Sequence, residues 1–222
     1  MHYKIEVYPR DLHFKKPAGT SRGTYTERKS WFLVLSSKDD PDRWGVGECA
    51  PLPNLSCDDV PGYEEMLAKA CQNFTNTGKI DIDGLRDYPS ILFGLETALL
   101  HFEANSFNMW DTPFSRGEAG IPINGLIWMG SYEDMSRQVA DKIESGFRCI
   151  KLKIGAIDFD KELEILRLIR EQFSSEEIEL RVDANGAFSP NEAMTKLNRL
   201  AELDLHSIEQ PIRAGHGKIW PC

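Results

Sequence analysis

The chain has 222 residues, of which 41% are hydrophobic and 27% charged, and its formal net charge is −9. These values are typical of a globular protein with one large or two modest domains. The acidic balance, without a cluster of Lys and Arg among aromatic residues, argues against nucleic-acid binding. No apolar segment approaches the roughly 20 residues that span a membrane, and the N-terminus lacks a signal-peptide core. The sequence therefore predicts a cytoplasmic protein without a membrane segment.

The cysteines indicate neither a disulfide framework nor a zinc site. They are odd in number, irregularly spaced and without a Cys-x-x-Cys pattern, at Cys49, Cys57, Cys71, Cys149 and Cys222. Such usage predicts reduced thiols that are mostly packed inside the fold.

The first half of the chain has the pattern of an α+β domain. Apolar alternation and buried runs predict strands, and apolar stripes at helical spacing predict helices after them. The predicted strands are 3–8, 30–35 and 44–50, and the predicted helices are 60–74 and 89–107. A Pro- and Gly-rich segment at 111–120 marks the end of this domain, which we assign to residues 1–115.

A polar segment at 16–25 separates the first two predicted strands. It contains two glycines and the cationic side chains of Lys16 and Arg22. This composition fits a flexible lid over an anionic ligand, and it fits a solvated hairpin connection equally well.

The second half alternates strand and helix. Strands are predicted at 121–128, 149–154, 178–183 and 205–211, and helices start after capping residues Ser131 and Ser189. Alternation of this kind predicts parallel strands joined by right-handed crossovers. The glycine fingerprint of a dinucleotide fold is absent, which favours a barrel. Because a complete barrel takes about 250 residues, residues 120–222 predict an incomplete (β/α) barrel of about four strands.

Charged side chains follow the ends of successive strands. In the segment 149–155, Lys151 and Lys153 share one face of the strand, opposite its apolar residues. Asp183 and Glu209 end the next two strands, and catalytic groups of a barrel converge at these strand ends. Two inward lysines carry a large desolvation cost, which carboxylates or a metal-bound substrate would offset.

This arrangement predicts proton abstraction next to the carboxylate of a small-molecule substrate. Asp183 and Glu209 would repel each other unless a cation lies between them, and hard oxygen ligands suit Mg²⁺. A lysine beside that ion is disfavoured as an ammonium and suits a general base. The metal would stabilise the negative charge formed when the proton leaves. An ordinary salt-bridge network, with residues 183–186 as a helix-capping turn, is the alternative.

The strand ends resemble those of a known family. Lys151-Leu-Lys153, Val182-Asp-Ala-Asn185 and Ile208-Glu-Gln-Pro211 look like active-site strands of the enolase superfamily, in its muconate-lactonizing subgroup. The resemblance implies a capping domain followed by a barrel, and a Lys base that works with Mg²⁺. It implies that Lys153 is the acid/base and Lys151 its assistant. It further implies Mg²⁺ ligands at Asp183 and Glu209, and substrate contacts at Asn185 and Arg22.

The implied activity is that of a carbon–oxygen lyase of menaquinone biosynthesis. The reaction would be the syn dehydration of 2-succinyl-6-hydroxy-2,4-cyclohexadiene-1-carboxylate. An epimerase or racemase of the same subgroup, acting on dipeptides or N-acylamino acids, is an alternative. A non-catalytic binding module is another.

The sequence also departs from the family pattern. The family has a third acidic ligand and a second lysine on later strands, and residues 216–222 do not resemble its usual helix. We therefore expect a truncated or frame-shifted coding sequence, weak Mg²⁺ binding and impaired activity. A half-barrel would expose open sheet edges. Pairing of two copies into a homo-oligomer with a closed barrel is an alternative that the sequence leaves open.

Overall fold

The computed structural model describes residues 1–20 and 23–215. The tip of the first hairpin aside, these residues form two compact units, one ending at Ile121 and the other beginning at Pro122. Each unit has its own hydrophobic core. None of the helices in the described ranges combines the length and apolarity needed to cross a bilayer. The domain limits inferred from the sequence, 1–115 and 120–222, stay a prediction.

The first unit combines a three-stranded sheet, in the order β1-β2-β3, with two helices. Strands β2 and β3 pair antiparallel, with Leu33 opposite Gly47. The predicted α+β class is confirmed, and both helices lie within three residues of their predicted limits. The elements are β1 (Tyr3–Thr20), β2 (Gly23–Ser37), β3 (Trp44–Cys49), α1 (Tyr63–Thr77) and α2 (Pro89–Ala104).

The prediction of a polar loop at residues 16–25 is wrong for most of that range. Strand β1 continues to Thr20 and β2 begins at Gly23, so Lys16 lies in a strand. Near the tip of this hairpin, residues 9–19 and 23–29 include no buried position on either face of the strands. Strands without a buried face have no apolar alternation by which the sequence could predict them. Arg22, the predicted lid residue, lies outside the described residues.

Glycines allow β3 to pack directly on α2. A Cβ atom at Gly47 would overlap the carbonyl oxygen of Gly94, and a Cβ atom at Gly94 would overlap the Sγ atom of Cys49. The strand and the helix backbone therefore approach more closely than any larger residue permits. The core of the unit forms around this contact, with Leu33, Phe74 and Phe102 buried.

The second unit is a four-stranded parallel sheet in the order β4-β5-β6-β7, with a helix after each of the first three strands. This architecture confirms the predicted partial (β/α) barrel. Strand β4 is shorter than predicted, because Pro122 has no N–H to donate to a ladder and Ile123 is exposed. The elements are β4 (Gly125–Ile127), α3 (Tyr132–Glu144), β5 (Cys149–Lys153), α4 (Phe159–Gln172), β6 (Glu179–Asp183), α5 (Pro190–Ala201) and β7 (Ser207–Glu209).

Local capping signals start the helices of this unit. The Ser131 hydroxyl accepts the N–H of Asp134 at 3.1 Å, which confirms the predicted cap of α3. Helix α5 starts after Ser189 as predicted, although that hydroxyl donates to the Glu192 carboxylate instead of capping a backbone N–H.

Candidate active site

The strand register aligns the candidate residues in one row. Lys153 of β5 is the Cα partner of Asp183 on β6, and Asp183 is the Cα partner of Glu209 on β7. Paired positions of parallel strands direct their side chains to the same face. The three strand ends therefore meet, as the spacing along the sequence indicates.

The alternation within β5 separates its apolar and charged residues. Ile150 and Leu152 are fully buried, whereas the side chains of Lys151 and Lys153 are 23% and 17% exposed. The lysines thus occupy the polar face of the sheet, and the hydrophobic core lies behind them.

The Lys153 ammonium has two oxygen partners on the following β/α unit. It donates to Asp183 Oδ2 and to Asn185 Oδ1, each at 3.0 Å. Asn185 adopts a left-handed conformation with φ 47°, and its own N–H donates to Asp183 Oδ1 at 2.9 Å. The Asp183 side chain is only 3% exposed. One buried carboxylate therefore orders both the turn after β6 and the amine of Lys153.

The Lys151 ammonium lies between the two carboxylates. It is 3.8 Å from Asp183 Oδ2 and forms an ion pair with Glu209 Oε2. The cation that the sequence requires between Asp183 and Glu209 is thus supplied by Lys151 in this structure. This is also the salt-bridge network of the alternative interpretation, and both interpretations use the same residues.

The donor set around Lys151 fits a hard divalent cation. Asp183 and Glu209 supply carboxylate oxygens from neighbouring strands at paired positions, and Mg²⁺ takes one or two such ligands with water and substrate oxygens. Within residues 1–20 and 23–215, no three His, Cys, Asp or Glu side chains converge as a metal site. The assignment of Asp183 and Glu209 as Mg²⁺ ligands stays a prediction.

An aromatic side chain beside Lys153 was not identified from the sequence as a site residue. The Lys153 Nζ atom lies 5.9 Å from the centre of the Trp128 ring. Trp128 directly follows β4. Its backbone N–H donates to Gln138 Oε1 at 2.9 Å, and its backbone carbonyl accepts from Gln138 Nε2 at 3.2 Å. The available signal was a large aromatic residue at the end of the predicted strand 121–128, the end at which the charged residues of the other strands lie.

A buried carboxylate organises the turn after β5. Glu162 Oε1 accepts the N–H groups of Gly155, Ala156 and Ile157 at 2.7, 3.2 and 3.4 Å. Burial raises the pKa of Glu162, and the three backbone donors act against that rise. Gly155 has φ 95°, and a Cβ atom there would overlap Ala187 of the β6–α5 turn. Glu162 was not identified from the sequence, because this residue lies on α4, beyond the turn that follows Lys153.

The structure brings together every candidate site residue that it describes. Lys151, Lys153, Asp183, Asn185 and Glu209 form one connected set of polar contacts. Arg22 lies outside the described residues. The functional role of each residue stays a prediction.

Comparisons with known proteins match both halves of the chain. A family model described as MenC, N-terminal domain, matches residues 4–102, and one described as Enolase C-terminal domain-like matches residues 134–218. An o-succinylbenzoate synthase of Desulfotalea psychrophila is 43% identical over 91% of this chain and 63% of its own length. An L-Ala-D/L-Glu epimerase of Bacillus subtilis is 30% identical over 94% of this chain and 60% of its own length. The chain thus spans about three fifths of these relatives.

Solved structures show the same architecture. The crystal structure of MenC from Desulfotalea psychrophila has a TM-score of 0.77 and 34% identity, covering 99% of this chain and 67% of that one. The o-succinylbenzoate synthase of Thermosynechococcus elongatus, complexed with Mg in its active site, has a TM-score of 0.73. At 21% identity, over 99% of this chain and 64% of that one, it supports the fold alone. The chain therefore belongs to the enolase superfamily, within the MenC (o-succinylbenzoate synthase) family.

Proposed function

We propose that this chain acts as an o-succinylbenzoate synthase. The reaction is the dehydration of 2-succinyl-6-hydroxy-2,4-cyclohexadiene-1-carboxylate to o-succinylbenzoate and water, a step of menaquinone biosynthesis. The observation that carries the proposal is the row Lys153, Asp183 and Glu209 at the ends of β5, β6 and β7. The 43% identity to an o-succinylbenzoate synthase supports the choice of substrate.

Lys153 would move the proton in both halves of this reaction. As a neutral amine, its Nζ atom takes the proton from the ring carbon that bears the carboxylate. The resulting ammonium returns that proton to the hydroxyl that leaves from the adjacent carbon, so that water departs and a ring double bond forms. Asp183 and Asn185 hold this nitrogen through contacts of 3.0 Å, which fixes its direction in either state.

Asp183 and Glu209 would hold Mg²⁺ in place of the Lys151 contact. The ion, when bound, supplies positive charge that stabilises the negative charge developing on the substrate carboxylate. Lys151 would then turn its ammonium toward the same substrate group and assist Lys153. Arg22 lies outside the described residues, and its predicted substrate contact stays a prediction.

A direct assay of the full chain tests this proposal. The chain is incubated with the cyclohexadiene carboxylate and Mg²⁺, and o-succinylbenzoate is quantified by chromatography. We expect Lys153→Ala to lower the rate by about 100-fold or more, which is the usual contribution of a general acid/base. Lys161→Ala, at an exposed lysine of α4, is the matched control and should leave the rate unchanged. No product above the uncatalysed rate from the wild-type chain would overturn the proposal.

The epimerase alternative has a specific observation in its favour, since an L-Ala-D/L-Glu epimerase matches 94% of this chain. Such an enzyme would exchange the α-proton of a dipeptide without loss of water. Incubation with L-Ala-L-Glu in D₂O separates the two activities. Deuterium incorporation that depends on Lys153, without any dehydration of the cyclohexadiene substrate, would favour the epimerase. The absence of both reactions would favour a non-catalytic binding module.

A further inference from the structure

The indole of Trp128 is a large apolar surface next to the amine of Lys153. Its ring centre is 5.9 Å from Lys153 Nζ, within the range of a cation–π contact, and the residue is 41% exposed. A substrate carbon that delivers its proton to Lys153 must approach within about 3.5 Å of that nitrogen. The body of such a substrate therefore comes within reach of the indole face.

A single side chain fixes the backbone of Trp128. The amide of Gln138, on α3, accepts from the Trp128 N–H and donates to the Trp128 carbonyl. Both polar ends of the amide are used, so its orientation is set by the backbone that it holds. Strand β4 ends at Ile127, so Trp128 lies beyond the last residue of β4 that pairs with β5. Gln138 thus takes the place of a strand partner and leaves the indole exposed.

We propose that Trp128 contacts the ring of the substrate and that Gln138 is the residue that positions it. The ligand class is a carboxylate carried on a flat, unsaturated six-membered ring. A flat π surface favours a flat conjugated ring over a puckered saturated one, because stacking needs parallel faces in contact. The inference rests on the proposed dehydration, which turns a cyclohexadiene into a planar aromatic ring. Stacking that improves as the ring flattens would favour the transition state over the substrate.

The test compares the binding of two ligands that differ in ring planarity. Calorimetry with Mg²⁺ present measures the affinity of the full chain for o-succinylbenzoate and for 2-succinylcyclohexane-1-carboxylate, its saturated counterpart. We expect the wild type to prefer the aromatic ligand. Trp128→Leu should reduce that preference by about fivefold, and Trp128→Phe should keep most of it. Gln138→Ala should reduce the preference partly, because the indole stays present without its backbone anchor.

The control is the same substitution at a tryptophan of the other unit. Trp110 is exposed, and Trp110→Leu should keep the wild-type preference. Thermal unfolding of each variant verifies that both units remain folded. A Trp128→Leu variant that binds both ligands like the wild type, or that weakens both equally, overturns the inference.

The outcome is separable from that of the proposed function. Ring preference that depends on Trp128, without turnover, supports the contact and rejects the synthase activity. Turnover without a Trp128-dependent preference rejects the contact and supports the activity. A wild-type chain that binds neither ligand rejects the contact.

Discussion

Lys151 on β5 forms an ion pair with Glu209 on β7, across the intervening strand β6. The same ammonium is 3.8 Å from Asp183 Oδ2 on that middle strand. Lys151 therefore reduces the repulsion between the two carboxylates, and Lys153 supplies a second positive charge beside Asp183. A divalent cation bound by these carboxylates has to displace this ammonium.

Replacing Lys151 should therefore strengthen Mg²⁺ binding. Lys151→Met keeps the length of the side chain and removes the competing charge, so we expect about tenfold tighter binding in calorimetry. Asp183→Asn should weaken binding, because it removes a ligand charge. Lys161→Met is the matched control at an exposed site. An unchanged or weaker Mg²⁺ affinity in Lys151→Met would show that the ammonium and the ion do not share one position.

The buried carboxylate of Glu162 should give the chain a specific pH dependence of stability. Burial raises its pKa above the ordinary value of 4.5 in the folded chain. Between the ordinary and the raised pKa the folded state binds more protons than the unfolded state. The contribution of Glu162 to the free energy of unfolding is thus greatest below pH 4.5 and is lost as pH rises through the folded pKa.

Urea unfolding of the wild type and Glu162→Gln at a series of pH values measures this effect. The difference in free energy of unfolding, wild type minus variant, should fall as pH rises above 4.5 and through the raised pKa of Glu162. Glu192→Gln is the control of opposite sign. The Ser189 hydroxyl lowers the pKa of Glu192, so its stabilising contribution is lost as pH falls below 4.5. A flat difference for Glu162→Gln would contradict the assignment.

The close contact between β3 and α2 should be intolerant of a single methyl group. A Cβ atom at Gly47 would overlap the Gly94 carbonyl, so Gly47→Ala must separate the strand from the helix. We expect a loss of about 2 kcal/mol in the free energy of unfolding, as for an overpacked core. Gly120→Ala, where no atom lies within 4 Å of the added Cβ, should change stability by less than about 0.5 kcal/mol. Equal effects at both sites would argue against the tight packing.

Thiol labelling should distinguish the cysteines by burial. All cysteines in the described part of the chain are free, and Cys57 is the exposed one. Burial raises the pKa of Cys49 to about 12 and that of Cys71 to about 11, and the thiolate is the reactive form. Iodoacetamide at pH 8 should therefore label Cys57 at least about 100-fold faster than Cys49 or Cys71. Peptide mass spectrometry with and without denaturant measures the rates, and rapid native labelling of Cys49 would contradict the packing described for β3.

The strand and helix order of the second unit, and the grouping of its charged residues, can be predicted from the sequence. Alternation with a period of two places Lys151 and Lys153 on one face, and a spacing of about one β/α unit brings Asp183 and Glu209 to the same strand ends. The Ser131 cap follows from a hydrogen bond between neighbours in the chain. These features are local or periodic, so the sequence records them directly.

The partners that these residues take depend on how the elements pack and cannot be read from the sequence. The contact of Lys151 with Glu209, rather than with Asp183 alone, depends on how side chains cross β6. Trp128 is proposed as a site residue because Gln138 holds its backbone and Lys153 Nζ lies 5.9 Å from its ring centre. The part of the hairpin nearest its tip, residues 9–19 and 23–29, has no buried residue and so shows no apolar alternation. Each of these features depends on distances between elements that are far apart in the sequence. Packing in three dimensions sets those distances, and no periodic pattern in the sequence records them.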